Sequence, residues 1–224
     1  MWCVPRIDEE FVNKMADVLE VYGRPLDPKE PVVAIDERPT PLRADAREPL
    51  PAKPGRHRRV DYEYVRKGTA NIFCIIAPKS GRHFSYVTEN RKGPAFADAL
   101  KRIAARYRRA RKIHLVMDNL NTHSTKSLID AFGKRGSQLA ARFEFHFTPK
   151  HASWLNVAEL EASAISRECL GKIRVGSLEA LAERVSLWRE RADAKRRSIH
   201  WSFTMDDART IFGVERVNKL LTQH

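Results

Sequence analysis

The chain has 224 residues, of which 42% are hydrophobic and 31% charged, a composition typical of an ordinary globular domain. This composition excludes a disordered chain and a collagen-like repeat, and three scattered cysteines without a CxxC pair exclude a disulfide scaffold. No apolar run approaches the ~20 residues of a membrane-spanning helix, so we expect no membrane partner, and the cysteine usage fits a cytoplasmic protein. A formal net charge of +13 favours a polyanionic partner, nucleic acid above all.

Three predicted strands precede a series in which strands and helices alternate. In chain order the prediction is a helix at 8–21, strands at 31–36, 70–77 and 83–88, a helix at about 95–110, a strand at 113–118, a helix near 125–132, a strand at 143–148, and helices at 154–170 and from Ser177 onward. The segment 38–59 is rich in proline and arginine and is predicted to be a long loop or hairpin excursion. This order predicts an α/β fold whose mixed sheet is flanked by helices.

Basic residues are clustered along the chain. The stretch from Lys101 to Lys112 carries seven basic residues and no acid, on a helix whose apolar residues recur at helical spacing. Clustering favours phosphate contact over a merely solubilising surface. The candidate DNA-binding residues are Arg56, Arg58, Arg59, Lys101, Arg102, Arg106, Arg108, Arg109, Lys150 and His151.

Two predicted strands end on an aspartate. Asp36 ends PVVAID and Asp118 ends IHLVMD. Chemistry in open α/β sheets gathers at the carboxyl ends of central strands, although aspartate is also a common turn residue after a strand. Glu37 follows Asp36 directly, and since adjacent strand residues point to opposite faces, only one of the two is expected to face the site.

The residues around these aspartates resemble the DDE transposases of the mariner superfamily, in particular their bacterial insertion-sequence branch. The motifs that carry the resemblance are VVAIDE, VMDNLNTHS and TPKHASWLNVAE, with Glu159 three residues after Asn156. The resemblance implies an RNase H-like fold in which Asp36, Asp118 and Glu159 bind two divalent ions, normally Mg²⁺, with Mn²⁺ as a substitute. In-line displacement at a phosphodiester uses one metal on the attacking oxygen and one on the leaving oxygen.

The resemblance also implies a function and a domain arrangement. We expect the catalytic domain of a cut-and-paste transposase, a nucleoid-associated homodimer that cleaves DNA and transfers strands between transposon ends and target DNA. The linker and N-terminal helix would occupy 1–30, the catalytic domain 31–200 with an insertion at about 38–69, and a helical appendage 201–224. The alternatives are an RNase H-like nuclease without strand transfer and a non-catalytic DNA-binding remnant.

Complete family members carry a helix-turn-helix region ahead of the catalytic domain. Here the chain begins MWCVPRIDEEF, whose Trp-x-Val-Pro resembles the linker between the two parts. We therefore expect the DNA-reading module to be absent or separately encoded. An excised domain, the product of a split gene and a decayed copy all fit the sequence.

The third acid has two candidates, Glu159 and Glu161. A helix turns ~100° per residue, so the two lie ~200° apart and cannot share one site. Helical periodicity alone does not choose between them. Glu159 shares its edge with Asn156 and Ser163, whereas Glu161 neighbours Val157 and Ile165 and is expected to be a solvated surface charge.

Overall fold

The structure, a computed structural model, describes residues 7–118 and 125–221. The strands are β1 Val32–Asp45, β2 Tyr64–Ala77, β3 Arg82–His83, β4 Tyr86–Thr88, β5 Ile113–Met117 and β6 Phe143–Phe147. The helices are α1 Glu9–Gly23, α2 Gly93–Arg106, α3 Thr125–Phe132, α4 Lys134–Ala140, α5 Ala158–Ala164, α6 Leu178–Lys195, α7 Met205–Phe212 and α8 Val214–Leu221. The later part of the VMDNLNTHS motif, residues 119–124, lies outside the described residues.

The sheet is mixed, as the sequence predicts. Its order is β3-β2-β1-β5-β6, and β4 also pairs with β2. β1 runs antiparallel to β2 and parallel to β5, and β5 runs parallel to β6. The α/β fold with a helix-flanked mixed sheet is therefore confirmed.

The long excursion after the first strand is more regular than predicted. Residues 38–45 continue β1 and pair antiparallel with β2 down to Asp45 and Tyr64, so of the two predicted forms, a long loop or a hairpin excursion, this part takes the hairpin. β5 pairs with β1 only over Val32–Ala34, so the rest of β1 has an open edge on that side. Proline is tolerated on a strand with such an open edge. The sequence RPTPLR thus forms a strand despite its prolines because their missing N–H groups can face that open side.

Two helices begin directly after a residue whose side chain caps the helix. Asp8 caps α1 through Phe11 N–H, and Ser177 caps α6 through Ala180 N–H. The helix predicted at 154–170 is interrupted, because Ser153–Leu155 forms a 3₁₀ turn before α5 begins at Ala158. The last part, Ile165–Leu170, is π-helical.

Residues of β1 point alternately to the two faces of the sheet. Ile35 belongs to the hydrophobic cluster that includes α2, whereas Ala34 belongs to the cluster with α1 and Ala158 of α5. By this alternation Asp36 faces α5, and Glu37 faces the opposite side. The fold thus directs the first predicted acid toward the helix that carries the third.

The C-terminal helices pack against the N-terminal one. Ala208 of α7 and Val217 of α8 are fully buried in the cluster that contains α1, and Phe212 makes an edge-to-face contact with Phe11. Within the described ranges, no helix is both long and apolar enough to cross a membrane.

Candidate active site

The first acid, Asp36, lies in the central strand of the sheet. It stands opposite Cys74 of β2, and its Oδ1 accepts a hydrogen bond of 2.8 Å from the Glu37 N–H. The side chain is half-buried. Burial and the negative charge of Asp118 raise the pKa of Asp36 from 3.8 to about 6.

The second acid, Asp118, directly follows β5 and is held by two neutral donors. Thr148 Oγ1 donates to Asp118 Oδ1 at 3.0 Å, and Asn156 Nδ2 donates to the same oxygen at 3.3 Å. Asn156 Nδ2 also donates to the Ile35 carbonyl at 3.0 Å, which ties the turn before α5 to β1. Asn156 is therefore a positioning residue that links the strands of both aspartates.

The third acid is placed by the turn that leads into α5. The Tyr22 hydroxyl donates to the Leu155 carbonyl at 3.0 Å and accepts from the Val157 N–H at 3.1 Å. The Asn156 side-chain oxygen accepts from the Ala158 N–H at 3.1 Å and so begins the helix. The next residue, the half-buried Glu159, lies close enough to Asp36 for its charge to raise the pKa of that carboxyl.

The structure thus brings Asp36, Asp118 and Glu159 to one region. Asp36 responds to the charges of both other acids, which is the electrostatic signature of clustered carboxylates. Hard carboxylate oxygens are the ligands that Mg²⁺ prefers in proteins, so this donor set fits such an ion.

Two further charged residues border the cluster. The pKa of Glu37 is raised from 4.5 to about 8 by burial and by the charge of Asp36. Arg91, in the loop before α2, lowers the pKa of both Asp36 and Glu37 through its positive charge. Sequence analysis missed Arg91, because a single arginine in a polar turn carries no motif.

The raised pKa of Asp36 predicts a dependence of stability on pH when divalent metal is chelated. Between about pH 4 and pH 6 the folded state holds more protons at this group than the unfolded state, so stability falls as pH rises. We expect Asp36→Asn to remove this loss and to stabilise the chain at pH 7 by about 2 kcal/mol more than at pH 4. Urea unfolding in EDTA at both values measures it, and an equal effect of Asp36→Asn at the two pH values would contradict it.

Glu161 is not a solvated surface charge, and that prediction is wrong. Its side chain is fully buried and accepts hydrogen bonds of 2.7 Å from both His83 Nδ1 and Ser85 Oγ. Glu161 and Glu159 do lie on opposite edges of α5. However, His83 of β3 and the following Ser85 cover the Glu161 edge, and Trp188 of α6 packs against the His83 ring. Glu161 is a buried structural acid.

Arg108 and Arg109, in the basic turn after α2, lie away from the carboxylates. β5 begins at Ile113, just after this turn, and Asp118 follows its far end, so Arg108 and Arg109 lie roughly 17 Å along the strand from Asp118. Both are exposed.

Three other basic residues of α2 have partners on the protein surface. Lys101 lies over the Phe132 ring, Arg102 pairs with Asp98 at 2.6 Å and stacks on Tyr86, and Arg106 lies over Phe84. Their charges remain at the surface, since all three are exposed. They can still contribute to a positive field along α2.

The remaining candidate DNA-binding residues fall in two exposed places. Arg56, Arg58 and Arg59 lie between β1 and β2, where Leu50 pairs with Arg59 in an isolated bridge. Lys150 and His151 follow Thr148, which donates to Asp118, and they are exposed near the start of α1. Lys150 and His151 thus lie nearer to the carboxylates than Arg108 and Arg109 do.

Comparison with protein families matches residues 31–182 to the family described as DDE superfamily endonuclease. The match spans the three acids Asp36, Asp118 and Glu159. No curated protein matches the chain.

Comparison with solved structures finds complexes of the Mos1 mariner transposase. A Mos1 strand transfer complex matches with a TM-score of 0.56 and 15% identity, over 95% of this chain and 60% of that one. A pre-cleavage Mos1 transpososome matches with a TM-score of 0.55 and 16% identity, over 99% of this chain and 64% of that one. A Mos1 mariner paired-end complex with Mn matches with a TM-score of 0.54 and 15% identity, over 84% of this chain and 59% of that one. The chain shares the RNase H-like transposase fold and spans about 60% of the length of these neighbours.

Proposed function

Because the chain belongs to the DDE superfamily endonucleases, we propose that it is the catalytic domain of a cut-and-paste DNA transposase. It would belong to the bacterial insertion-sequence branch of the mariner superfamily, and would cleave transposon ends and join them to target DNA. The observation that carries the proposal is the clustering of Asp36, Asp118 and Glu159 on adjoining elements of this fold.

The three carboxylates are the residues that would hold the divalent metal. When bound there, two Mg²⁺ or Mn²⁺ ions supply activation of the attacking oxygen and stabilisation of the leaving oxygen. Two structures of the Mos1 mariner paired-end complex, one with Mn and one with Mg, support this choice of ions. Thr148 and Asn156 orient one oxygen of Asp118, which leaves its other oxygen free of these two bonds for a ligand.

The partners follow from the same proposal. DNA is the substrate, and the complexes formed by Mos1 contain transposon ends. A net charge of +13 suits that substrate. We further propose a homodimer, and a helix-turn-helix module, on the same or another chain, that reads the terminal repeats.

The basic turn after α2 should contribute to the salt dependence of DNA binding. The double variant Arg108→Gln/Arg109→Gln is expected to lower the slope of log K against log salt by about 2, because each phosphate contact releases about 0.9 counterions. Fluorescence anisotropy with a duplex of random sequence at several salt concentrations measures this slope.

The control for this variant is Lys172→Gln/Lys219→Gln, which removes the same charge from exposed positions elsewhere. We expect the control to change the slope by less than half as much. Equal changes in the two double variants would show that net charge alone, and not this turn, determines binding.

A strand-transfer assay tests the proposed function. The substrate is a precleaved transposon end with a free 3′-hydroxyl, incubated with supercoiled target DNA and Mg²⁺. The proposal predicts joined products that disappear in Asp118→Asn. Cleavage without joining would identify a nuclease, and DNA binding without either reaction would identify a non-catalytic remnant.

A further inference from the structure

A second cluster of metal-ligating side chains lies away from the candidate active site. Among the residues that the structure describes, His114, Glu144 and His146 bring ligand atoms within 4.8 Å of one another. In the parallel pair β5–β6, His114 lies opposite Glu144, and Val116 lies opposite His146. Val116 packs in the cluster with α1, so all three side chains share the α1 face of the sheet.

The distances between the ligand atoms suit a small coordination sphere. His114 Nδ1 lies 3.0 Å from His146 Nε2. A Glu144 oxygen lies 3.9 Å from the first nitrogen, and the other oxygen lies 4.0 Å from the second. Ligands of a tetrahedral ion with bonds of 2.0–2.2 Å are about 3.3 Å apart, so shifts well under 1 Å would bring the three into place.

A second carboxylate fixes the orientation of one ring. Both Asp17 oxygens lie 2.9–3.0 Å from His146 Nδ1, so Nδ1–H donates to Asp17 and the lone pair of His146 stays on Nε2. This carboxylate–histidine pair is the usual outer support of a metal-bound imidazole. The histidine side chains are 3% exposed, whereas those of Asp17 and Glu144 are 48% exposed and leave a path from solvent.

The charges around the cluster are acidic within a strongly basic chain. Asp17 and Glu144 lie beside the histidines, and the guanidinium of Arg24 pairs with Glu20 at 2.9 Å. Arg24 Nη1 also lies 3.1 Å from His114 Nε2, so Arg24, His114, His146 and Asp17 can form a hydrogen-bond relay. An ion would displace the single His114 proton from Nδ1 to Nε2, and Arg24, 37% exposed, would turn toward solvent.

We propose that His114, Glu144 and His146, oriented by Asp17, bind one divalent transition-metal ion such as Zn²⁺ at a site separate from the three catalytic carboxylates. Two imidazoles and a carboxylate suit Zn²⁺, whereas Mg²⁺ takes oxygen ligands. The ion ties α1 to β5 and to the edge strand β6, so its binding stabilises the folded chain.

The test is a Zn²⁺ titration of the untagged full chain, followed by calorimetry and thermal unfolding. It uses wild type and the double variant Asp36→Asn/Asp118→Asn, which lacks two catalytic carboxylates. We expect one equivalent of Zn²⁺ to bind the double variant, at least one to bind wild type, and Tm to rise by several degrees in both. Binding to wild type alone would place the ion at the catalytic acids and overturn the proposal.

Two variants at exposed positions identify the ligands. Glu144→Gln removes the third ligand and Asp17→Asn weakens the support, and each should lower Zn²⁺ affinity by about 10–100-fold. The control Glu179→Gln, an exposed glutamate in the first turn of α6, should leave the affinity unchanged. No rise in Tm with Zn²⁺, or the same affinity in Glu144→Gln as in wild type, would show that the cluster is only a hydrogen-bond relay.

Discussion

Glu159→Gln should abolish metal-dependent DNA cleavage while leaving the chain as stable as wild type. Glu159 is half-buried on the edge of α5 that faces Asp36, and its charge acts on that carboxyl. A neutral carboxamide is a weaker ligand for Mg²⁺ and removes one of three negative charges. We expect a loss of at least about 1000-fold in the rate of cleavage, since removal of one preorganised electrostatic contact already costs about 10²–10³.

The cleavage rate and Tm are measured on the same preparation of Glu159→Gln. Glu179→Gln serves as the matched control, because it makes the same chemical change in the first turn of another helix. The control should cleave at the wild-type rate. A Glu159→Gln protein that keeps more than half of the wild-type rate would move the third acid elsewhere.

Glu161→Ala should have the opposite pattern, a large loss of stability. The side chain of Glu161 is fully buried and is the acceptor for His83 Nδ1 and Ser85 Oγ. Its removal leaves both donors without that acceptor, and since each unsatisfied buried donor costs about 1–3 kcal/mol, the two together cost about 3 kcal/mol or more. For a chain of this size we expect Tm to fall by about 6–12 °C.

Glu161→Gln separates stability from chemistry at this position. Glutamine keeps an oxygen that can accept from Ser85, so it should lose less stability than alanine does. Below its Tm the folded variant should cleave DNA at close to the wild-type rate, because Glu161 lies on the far edge of α5 from Glu159. An unchanged Tm in Glu161→Ala, or a folded Glu161→Gln without activity, would contradict this assignment.

The strands and the first two acids could be predicted because their signals are local. Continuous apolar runs such as IHLVM occur where a strand is buried on both faces, and the carboxylate that ends each run lies at one end of the sheet. For the second half of β1 the sequence left a loop and a hairpin excursion open, since its prolines argue against a strand. Only the pairing with β2 explains how residues 38–45 become extended.

The surroundings of Glu161 and the cluster of His114, Glu144 and His146 could not be predicted from the sequence, for a different reason. Each depends on residues distant in the chain, His83 and Ser85 for the first and His146 with Asp17 for the second. Helical periodicity describes one edge of one helix and carries no information on what covers it. Such contacts appear only when the sheet and its helices are assembled.

Nicking of supercoiled plasmid DNA by wild type and by Asp118→Asn, in Mg²⁺, Ca²⁺ and EDTA, tests most directly whether the three carboxylates form a metal-dependent DNA-cleaving site. Asp118 accepts hydrogen bonds from Thr148 and Asn156 through Oδ1, an atom that asparagine keeps. Asp118→Asn should therefore leave the fold intact and remove the reaction. The account predicts nicking by wild type in Mg²⁺ alone and none by Asp118→Asn in any condition. Equal nicking in EDTA and Mg²⁺, or nicking by Asp118→Asn at the wild-type rate, would contradict it.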